Sequence, residues 1–371
     1  MFGLHLSSVS LASFRNHESW EHEFDGPATI LVGKNAAGKT NILEAITVTA
    51  RGSSFRPFRW EDLVSHGCER ASVALTAVRA GTTVGVEVRI VRDGAREYSL
   101  NGRLRRAVSD VSRKIPLVTF VPEDLALSKG PSEARRGSLD SLGDRLASAY
   151  SAIRIEYGRL VRQRNALIRQ GAPARDLEPW DEMLADVGAS FATHRIRLLS
   201  RLAAPASRAY SEISDGELLS IGYRASWADS VIPCEGAPGV EKSEIRMAIL
   251  EGLHARRDHE RERGSTLTGP HRDDVSIQVT GRSARRYASQ GQHRSVALSW
   301  KLAELEVVRE VSGAPPVLLL DDVMSEFDAR RREALSARLL GGSQTIITTT
   351  NLDYFSPDLL ERAAVVAVGD V

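Results

Sequence analysis

Gly33-Lys34-Asn35-Ala36-Ala37-Gly38-Lys39-Thr40 matches the phosphate-loop pattern G-x-x-x-x-G-K-[ST] at every fixed position. Upstream, Ala28-Thr29-Ile30-Leu31-Val32 is a short, largely apolar run that predicts a buried strand, and downstream Asn41-Ile42-Leu43-Glu44-Ala45-Ile46 predicts a helix. Strand, glycine loop and helix form the context that the pattern requires. Glycines let the backbone turn so that several N–H groups face one anion, and the helix N-terminus adds the positive end of its dipole. Residues 33–40 are thus the expected cradle of a nucleoside triphosphate. Lys39 would reach the β- and γ-phosphates, and the Thr40 hydroxyl would ligate Mg²⁺.

The 371 residues suffice for two domains, or for one large domain carrying an insertion. Hydrophobic content of 42% and charged content of 26% are ordinary for a globular protein. The net charge of +1 means that any contact with nucleic acid must rest on local patches rather than a global field. Cys68 and Cys234 are far apart and lack metal-ligand spacing, which suits a reducing, cytosolic compartment. No apolar run approaches the ~20 residues of a membrane span, and Met1-Phe2-Gly3-Leu4-His5-Leu6 lacks the basic start of a signal peptide. The expectation is a cytoplasmic protein.

After the loop the period changes. Residues 71–108 alternate as strands, with Asp93-Gly94 and Asn101-Gly102 as hairpin turns, so an antiparallel β-subdomain is expected. Leu117-Val118-Thr119-Phe120-Val121 is one more strand, closed by Pro122. Leu139, Leu142, Leu146, Tyr150, Ile153, Tyr157 and Leu160 recur at steps of three and four and predict one amphipathic helix. A break at Gly171-Ala172-Pro173 precedes a second helical run from Trp180 to Ile213, and together they suggest an arm. Residues 232–240 are an expected loop. Val275–Val279, Val317–Leu320 and Thr345–Thr348 are expected strands, with a helix from Ser295 to Arg309.

The strand Val317-Leu318-Leu319-Leu320 ends in Asp321-Asp322. Beside a nucleotide, the first carboxylate would hold Mg²⁺ and the second would orient or deprotonate the attacking water. Ahead of that strand lies Ala288-Ser289-Gln290-Gly291-Gln292, at the start of a helix. Here the sequence resembles the ABC-type ATPases, whose Leu-Ser-Gly-Gly-Gln signature precedes the same acidic strand; Ser289, Gly291 and Gln292 match. Ser289 also suits a plain helix N-cap, and both readings are compatible. Asp328 falls where that superfamily has its dimer-contacting loop. In the ABC arrangement the signature grips the γ-phosphate bound to the other subunit, so the resemblance implies an ATP-sandwiched homodimer.

Loop and signature stand about 250 residues apart, with a helical insertion between them. That spacing, together with Phe14-Arg15-Asn16, Ser54-Phe55-Arg56, Phe120-Val121-Pro122-Glu123-Asp124-Leu125, Gln163-Arg164-Asn165 and Gly269-Pro270-His271-Arg272-Asp273-Asp274, resembles the RecF family from end to end. The resemblance implies an α/β ABC-ATPase (P-loop) head with an antiparallel β-subdomain and an inserted helical arm. The expected division is 1–131 and 263–371 for the head and 132–262 for the arm. It further implies a slow, DNA-stimulated ATPase acting as a switch, with ATP and Mg²⁺ as cofactors. The ATP-bound dimer would bind single-stranded DNA and single-strand/double-strand junctions, with RecO and RecR as partners, in gap repair, replication restart and the SOS response.

Several positions depart from the ABC pattern. The second acid is Asp322 where transporters have Glu, one methylene shorter, and misplacement by about 1 Å can cost about 100-fold in rate. Thr348, Thr349 and Thr350 stand where a histidine is expected, and Glu123 stands near the usual glutamine. His271 and Arg272 fit either a catalytic role or a tight turn. Arg15 and Arg56 fit either nucleotide contact or ordinary surface charge. Arg135-Arg136, Arg162/Arg164/Arg169, Arg256-Arg257 and Arg282/Arg285/Arg286 fit either DNA phosphate contacts or solvated faces.

Overall fold

The computed structural model describes residues 4–105, 114–214, 216–234, 240–339 and 342–369. They form two compact units: Met1–Leu125 with Glu304–Val371, and Ala126–Ala303.

The first unit begins with β1 (Leu4–Phe14), β2 (His17–Glu23), β3 (Ala28–Val32), α1 (Lys39–Arg51), β4 (Arg70–Arg79), β5 (Thr82–Val91), β6 (Arg96–Leu100), β7 (Arg103–Arg105) and β8 (Leu117–Phe120). Six of these strands make an antiparallel sheet in the order β2-β1-β4-β5-β6-β7. Period-two alternation sets its inner face: Ala71, Val73, Leu75 and Ala77 of β4 are buried while their neighbours are not. Asn101 and Gly102 both have positive φ (51° and 73°), as a two-residue hairpin of the primed type demands. Ala80-Gly81 makes the same turn between β4 and β5 (47° and 80°). Alanine there gave no signal, so that hairpin was not foreseen.

The second unit contains α2 (Ser132–Leu146), α3 (Ser148–Arg169), α4 (Ala174–Ile213), β9 (Leu219–Arg224), β10 (Val231–Pro233), α5 (Lys242–Ala255), α6 (Arg257–Arg263), β11 (Asp274–Val279), β12 (Arg282–Ser283), α7 (Ala284–Tyr287) and the start of α8 (Gln290–Ser312). Its sheet runs β10-β9-β11-β12. The seam from Leu139 to Leu160 belongs to two helices, not one: Ala147 is extended (φ −146°, ψ 130°) and ends α2. The bend lets the Tyr150 ring lie on Gly143, where a Cβ would come within 2.5 Å of it. The apolar spacing continued across the break, which hid it. The helix expected from Trp180 starts at Ala174 and runs through Pro179, because its buried stripe (Leu177, Asp181, Leu184, Ala185) continues on both sides. Residues 263–303, grouped above with the head, lie in this unit, since β11 pairs with β9 along six residues. Of the expected loop 232–240, residues 235–239 lie outside the described residues.

Along α8 the chain returns to the first unit, which is completed by β13 (Val317–Asp321), α9 (Ala329–Leu339), β14 (Thr345–Thr349), α10 (Pro357–Arg362) and β15 (Ala363–Ala367). These strands join β3 and β8 in a parallel sheet of order β15-β3-β14-β13-β8. The strands read as continuous apolar runs because the sheet is buried on both faces: all five residues of β13 and of β14 are buried. No helix among the described residues is long and apolar enough to cross a membrane.

Candidate functional site

In a parallel sheet every strand ends at the same edge, where the following loops gather. β3, β13 and β14 therefore deliver Gly33, Asp321-Asp322 and Thr348–Thr350 to one place. Two glycines of the loop are sterically required. A Cβ on Gly33 would come within 2.3 Å of the Val368 carbonyl oxygen, and one on Gly38 within 2.4 Å of His17 Nε2. Gly38 has φ +100° and Ala36 φ +65°, which turns successive amides to one side. The amides of Asn35, Ala36 and Gly38 donate to no acceptor among the described residues. No acidic side chain sits in the first turn of α1, so its dipole is uncompensated there. This is a fit for an anion.

Lys39 is buried, and its ammonium donates to the carbonyls of Gly33 (2.6 Å) and Lys34 (2.7 Å) within the loop. Burial lowers its pKa, against the opposing pull of Asp322 and Asp321. Thr40 Oγ1 donates to Asp321 Oδ1 at 2.7 Å, and Thr348 Oγ1 donates to the same oxygen at 2.8 Å. Burial pushes the Asp321 carboxyl up, with the two hydroxyls opposing. Asp322 adopts a left-handed backbone (φ 50°, ψ 22°), rare for a non-glycine residue. Its amide donates to Thr348 Oγ1 at 2.9 Å, while its Oδ1 is buried with no hydrogen-bond partner. Burial raises its pKa, Asp321 adds to the rise, and Lys39 opposes it. A strained backbone holding an unpartnered carboxylate is costly unless something else fills the site. Asn16, residues 35–41, Arg56, Asp322, Thr348 and Thr350 line a cavity of about 340 Å³ here.

Glu44, directly after Ile42 and Leu43 on α1, is fully buried. It accepts from Arg15 Nε and Nη2 (both 2.9 Å), from Ser54 Oγ (2.7 Å) and from Arg56 Nη2. Burial alone would raise its pKa, but Arg15, Ser54 and Arg56 outweigh it and hold the carboxyl below the usual range. Arg15 and Arg56 are thus neither free surface charges nor interchangeable: only Arg56 lines the cavity, where it also bonds Asn41 Oδ1 (2.9 Å). Glu44, His17 and the double role of Thr348 were missed by sequence reasoning. The only signal was their nearness to the loop and to Arg15.

Among the three threonines, Thr348 is bound to both acids' main or side chains, Thr349 closes a turn onto Asn351 (2.9 Å), and Thr350 is exposed on the cavity wall. Ser289, Gly291 and Gln292 lie in the second unit. Ser289 Oγ accepts from Gln292 N (3.2 Å) and Gln292 Oε1 accepts from Ser289 N (2.8 Å), a reciprocal capping box opening α8. Gln292 Nε2 donates to Glu217 at 3.0 Å. Asp328 caps α9 by accepting from Arg331 N (3.0 Å). Glu123 lies in a 3₁₀ turn after β8.

His271 proves structural. Burial drives its pKa down to about 4, and its ring contacts the Tyr157 hydroxyl (2.8 Å) and Thr266 O (3.0 Å). Arg272 N donates to Gly269 O in a tight turn. Several basic candidates are buried or half-buried ion pairs rather than solvated faces. Arg135 forks onto Asp274 (2.8 and 2.9 Å), Arg164 bonds Asp181 (2.6 Å), and Arg257 bonds Asp181 (2.7 Å).

The parallel sheet, the loop before α1 and the paired acids after β13 define an ABC-type ATPase head. Residues 5–364 match the family model of the RecF/RecN/SMC N terminal domain. The chain is 37% identical to the DNA replication and repair protein RecF of Synechococcus sp. (strain JA-3-3Ab), over 98% of this chain and 96% of that one. A solved structure of the recombination mediator protein RecF-ATP, in the RecFOR pathway, superposes with a TM-score of 0.85 at 31% identity, covering 96% of this chain and 94% of that one. The chain belongs to the RecF family. The Smc head domain derived from Pyrococcus furiosus shares the fold (TM-score 0.55, 15% identity, 98% and 93% covered).

Proposed function

We propose that this protein is an ATP-dependent DNA-binding protein of recombinational gap repair and replication restart, in which ATP joins two copies of the chain. The observation that carries the reading is the buried, unpartnered Asp322 oxygen on a cavity shared with Lys39, Thr40 and free loop amides. Residues Gly33 to Thr40 would cradle the triphosphate, with Lys39 exchanging its loop carbonyls for phosphate oxygens. Thr40 Oγ1 and Asp321 Oδ1, 2.7 Å apart, are two oxygens that could share one Mg²⁺. That ion would neutralise charge on the phosphates. Asp322 would take the proton of the attacking water; burial and Asp321 both make its carboxylate a stronger base. Its short side chain fits slow turnover, suited to a switch stimulated by DNA.

Ser289, Gly291 and Gln292 would close over the triphosphate of the second copy. Their capping box keeps the first turn of α8 in order, and a helix N-terminus favours an anion. The ATP-bound RecF relative supports the choice of nucleotide. Partners would be RecO and RecR, and the DNA would be single-stranded or a single-strand/double-strand junction. Light scattering with ATP, ADP and gapped DNA tests this reading. Wild type should dimerise with ATP, Lys39→Met should not, and Asp322→Asn should stay dimeric. A wild type that remains monomeric with ATP and gapped DNA overturns it.

A further inference from the structure

Several arginines of the second unit are neutralised within it. Arg135, Arg154, Arg164, Arg195, Arg246 and Arg257 each contact a carboxylate of the same unit. A different arrangement surrounds an open groove of about 520 Å³ walled by Ala255, Arg256, His259, Arg263, Leu267 and Arg272. Three guanidiniums and an imidazole converge there, and no carboxylate is among the walls. None of the four basic residues forms an ion pair with a described residue. Arg256 and Arg272 spend some donors on the carbonyls of Leu267 (3.3 Å) and Thr266 (3.0 Å), which fixes their stems and leaves the charge uncompensated. Of the acids beside these residues in sequence, Glu260 is buried with Arg164, and the exposed Asp258 and Glu262 are not among the walls. Arg285 also lines a groove, but Asp274 shares it.

We infer that this groove grips phosphates of a DNA backbone. The inference rests on the DNA-binding reading above and gives it a place. With a net charge of +1, the chain has no global field to hold a polyanion, so a local concentration of unpaired cations is needed. Planar guanidiniums match phosphate bidentately. The groove is open, which suits a strand running across it better than a small enclosed anion. Ala255 and Leu267 offer too little depth to anchor a peptide side chain, and no aromatic wall is present on which a base could stack. The grip is therefore on the backbone, independent of base sequence.

The test measures DNA affinity against salt with ATP present, for wild type and Arg256→Ala/Arg263→Ala. Arg272 is left intact because it holds the turn at Thr266. Losing two phosphate contacts should reduce the slope of log K against log salt by about 1.8 on duplex and weaken binding more than about ten-fold at 0.1 M salt. Dimerisation with ATP should be unchanged, Arg256→Lys/Arg263→Lys should keep most of the slope, and Arg103→Ala/Arg175→Ala should keep all of it. If the alanine pair binds DNA with the wild-type slope, or the control pair loses as much, the groove is not the site. If an acidic peptide rather than DNA loses affinity for the alanine pair, the occupant is a protein and the inference fails. If wild type binds no DNA with any nucleotide, the functional reading itself falls.

Discussion

Two buried charged clusters, one in each unit, are handled differently. Around Arg164 in the second unit, Asp181, Glu260, Thr266, Asn165 and Arg257 interlock: Arg164 Nε bonds Asp181, its Nη1 lies 2.7 Å from Glu260 Oε2, and Thr266 bonds Asn165 Oδ1 through both N–H and hydroxyl (2.7 Å each). Arg164 Nη2 and Glu260 Oε2 lack a hydrogen-bond partner, yet each belongs to a side chain in contact with the opposite charge. Around the loop of the first unit, the Asp322 carboxylate is in no ion pair with a described residue, and its Oδ1 and several loop amides have no partner among the described residues. Charge that the chain neutralises internally holds structure, and charge it leaves unneutralised awaits a ligand. The same contrast separates Arg164 from Arg256 within the second unit.

If that distinction is right, substitutions should trade stability loss against functional loss in a definite order. Arg164→Ala removes a fully buried guanidinium, leaving Glu260 without its cation and Asp181 with Arg257 alone, so it should cost about 3–5 kcal/mol in urea unfolding. Glu44→Gln sits between the two classes. It should cost about 2 kcal/mol, since Arg15 and Arg56 are partly exposed and can rehydrate, and should weaken ATP binding through a loosened Arg56. The Glu44 carboxyl is held below its ordinary value of 4.5 in the folded state. Its contribution is therefore present above that value and lost as pH falls through the folded pKa; acid titration of wild type and variant should converge there. Lys39→Met should change stability by less than about 1 kcal/mol while abolishing ATP binding by calorimetry.

Asp322→Asn should have the smallest effect on folding, and of opposite sign. The folded pKa of Asp322 is raised, so its ionised form destabilises the fold above that pKa. The amide should match or slightly exceed wild-type stability at neutral pH, with the gain vanishing as pH falls to the unfolded carboxylate value. A large loss for Asp322→Asn, or a small one for Arg164→Ala, would break the comparison.

What was legible in the sequence was local. The loop, its strand and helix, and the acidic strand are each written within a dozen consecutive residues, because strand period and glycine geometry act at that range. The Asn101-Gly102 turn was legible for the same reason. Partnership across the chain was not. Arg135 fitted either a DNA contact or a solvated face and is neither, because its partner Asp274 lies 139 residues away. Glu44 looked like one charge on a helix, and only folding brings Arg15 and Arg56 onto it. The break at Ala147 carries neither glycine nor proline, and Asp322 takes a left-handed turn with no glycine to mark it.

The parallel sheet has a consequence for the order of synthesis. Among the described residues β3, which carries the loop, pairs with β14 and β15, and β8 pairs with β13. All three partners are made after residues 126–303, whereas the six-stranded sheet and the second unit can form from contiguous stretches as they leave the ribosome. The loop is translated before the second unit and supported only after it. A nascent or C-terminally truncated chain would thus expose an apolar, unpaired β3, and nucleotide can be held only once the final strands are in place.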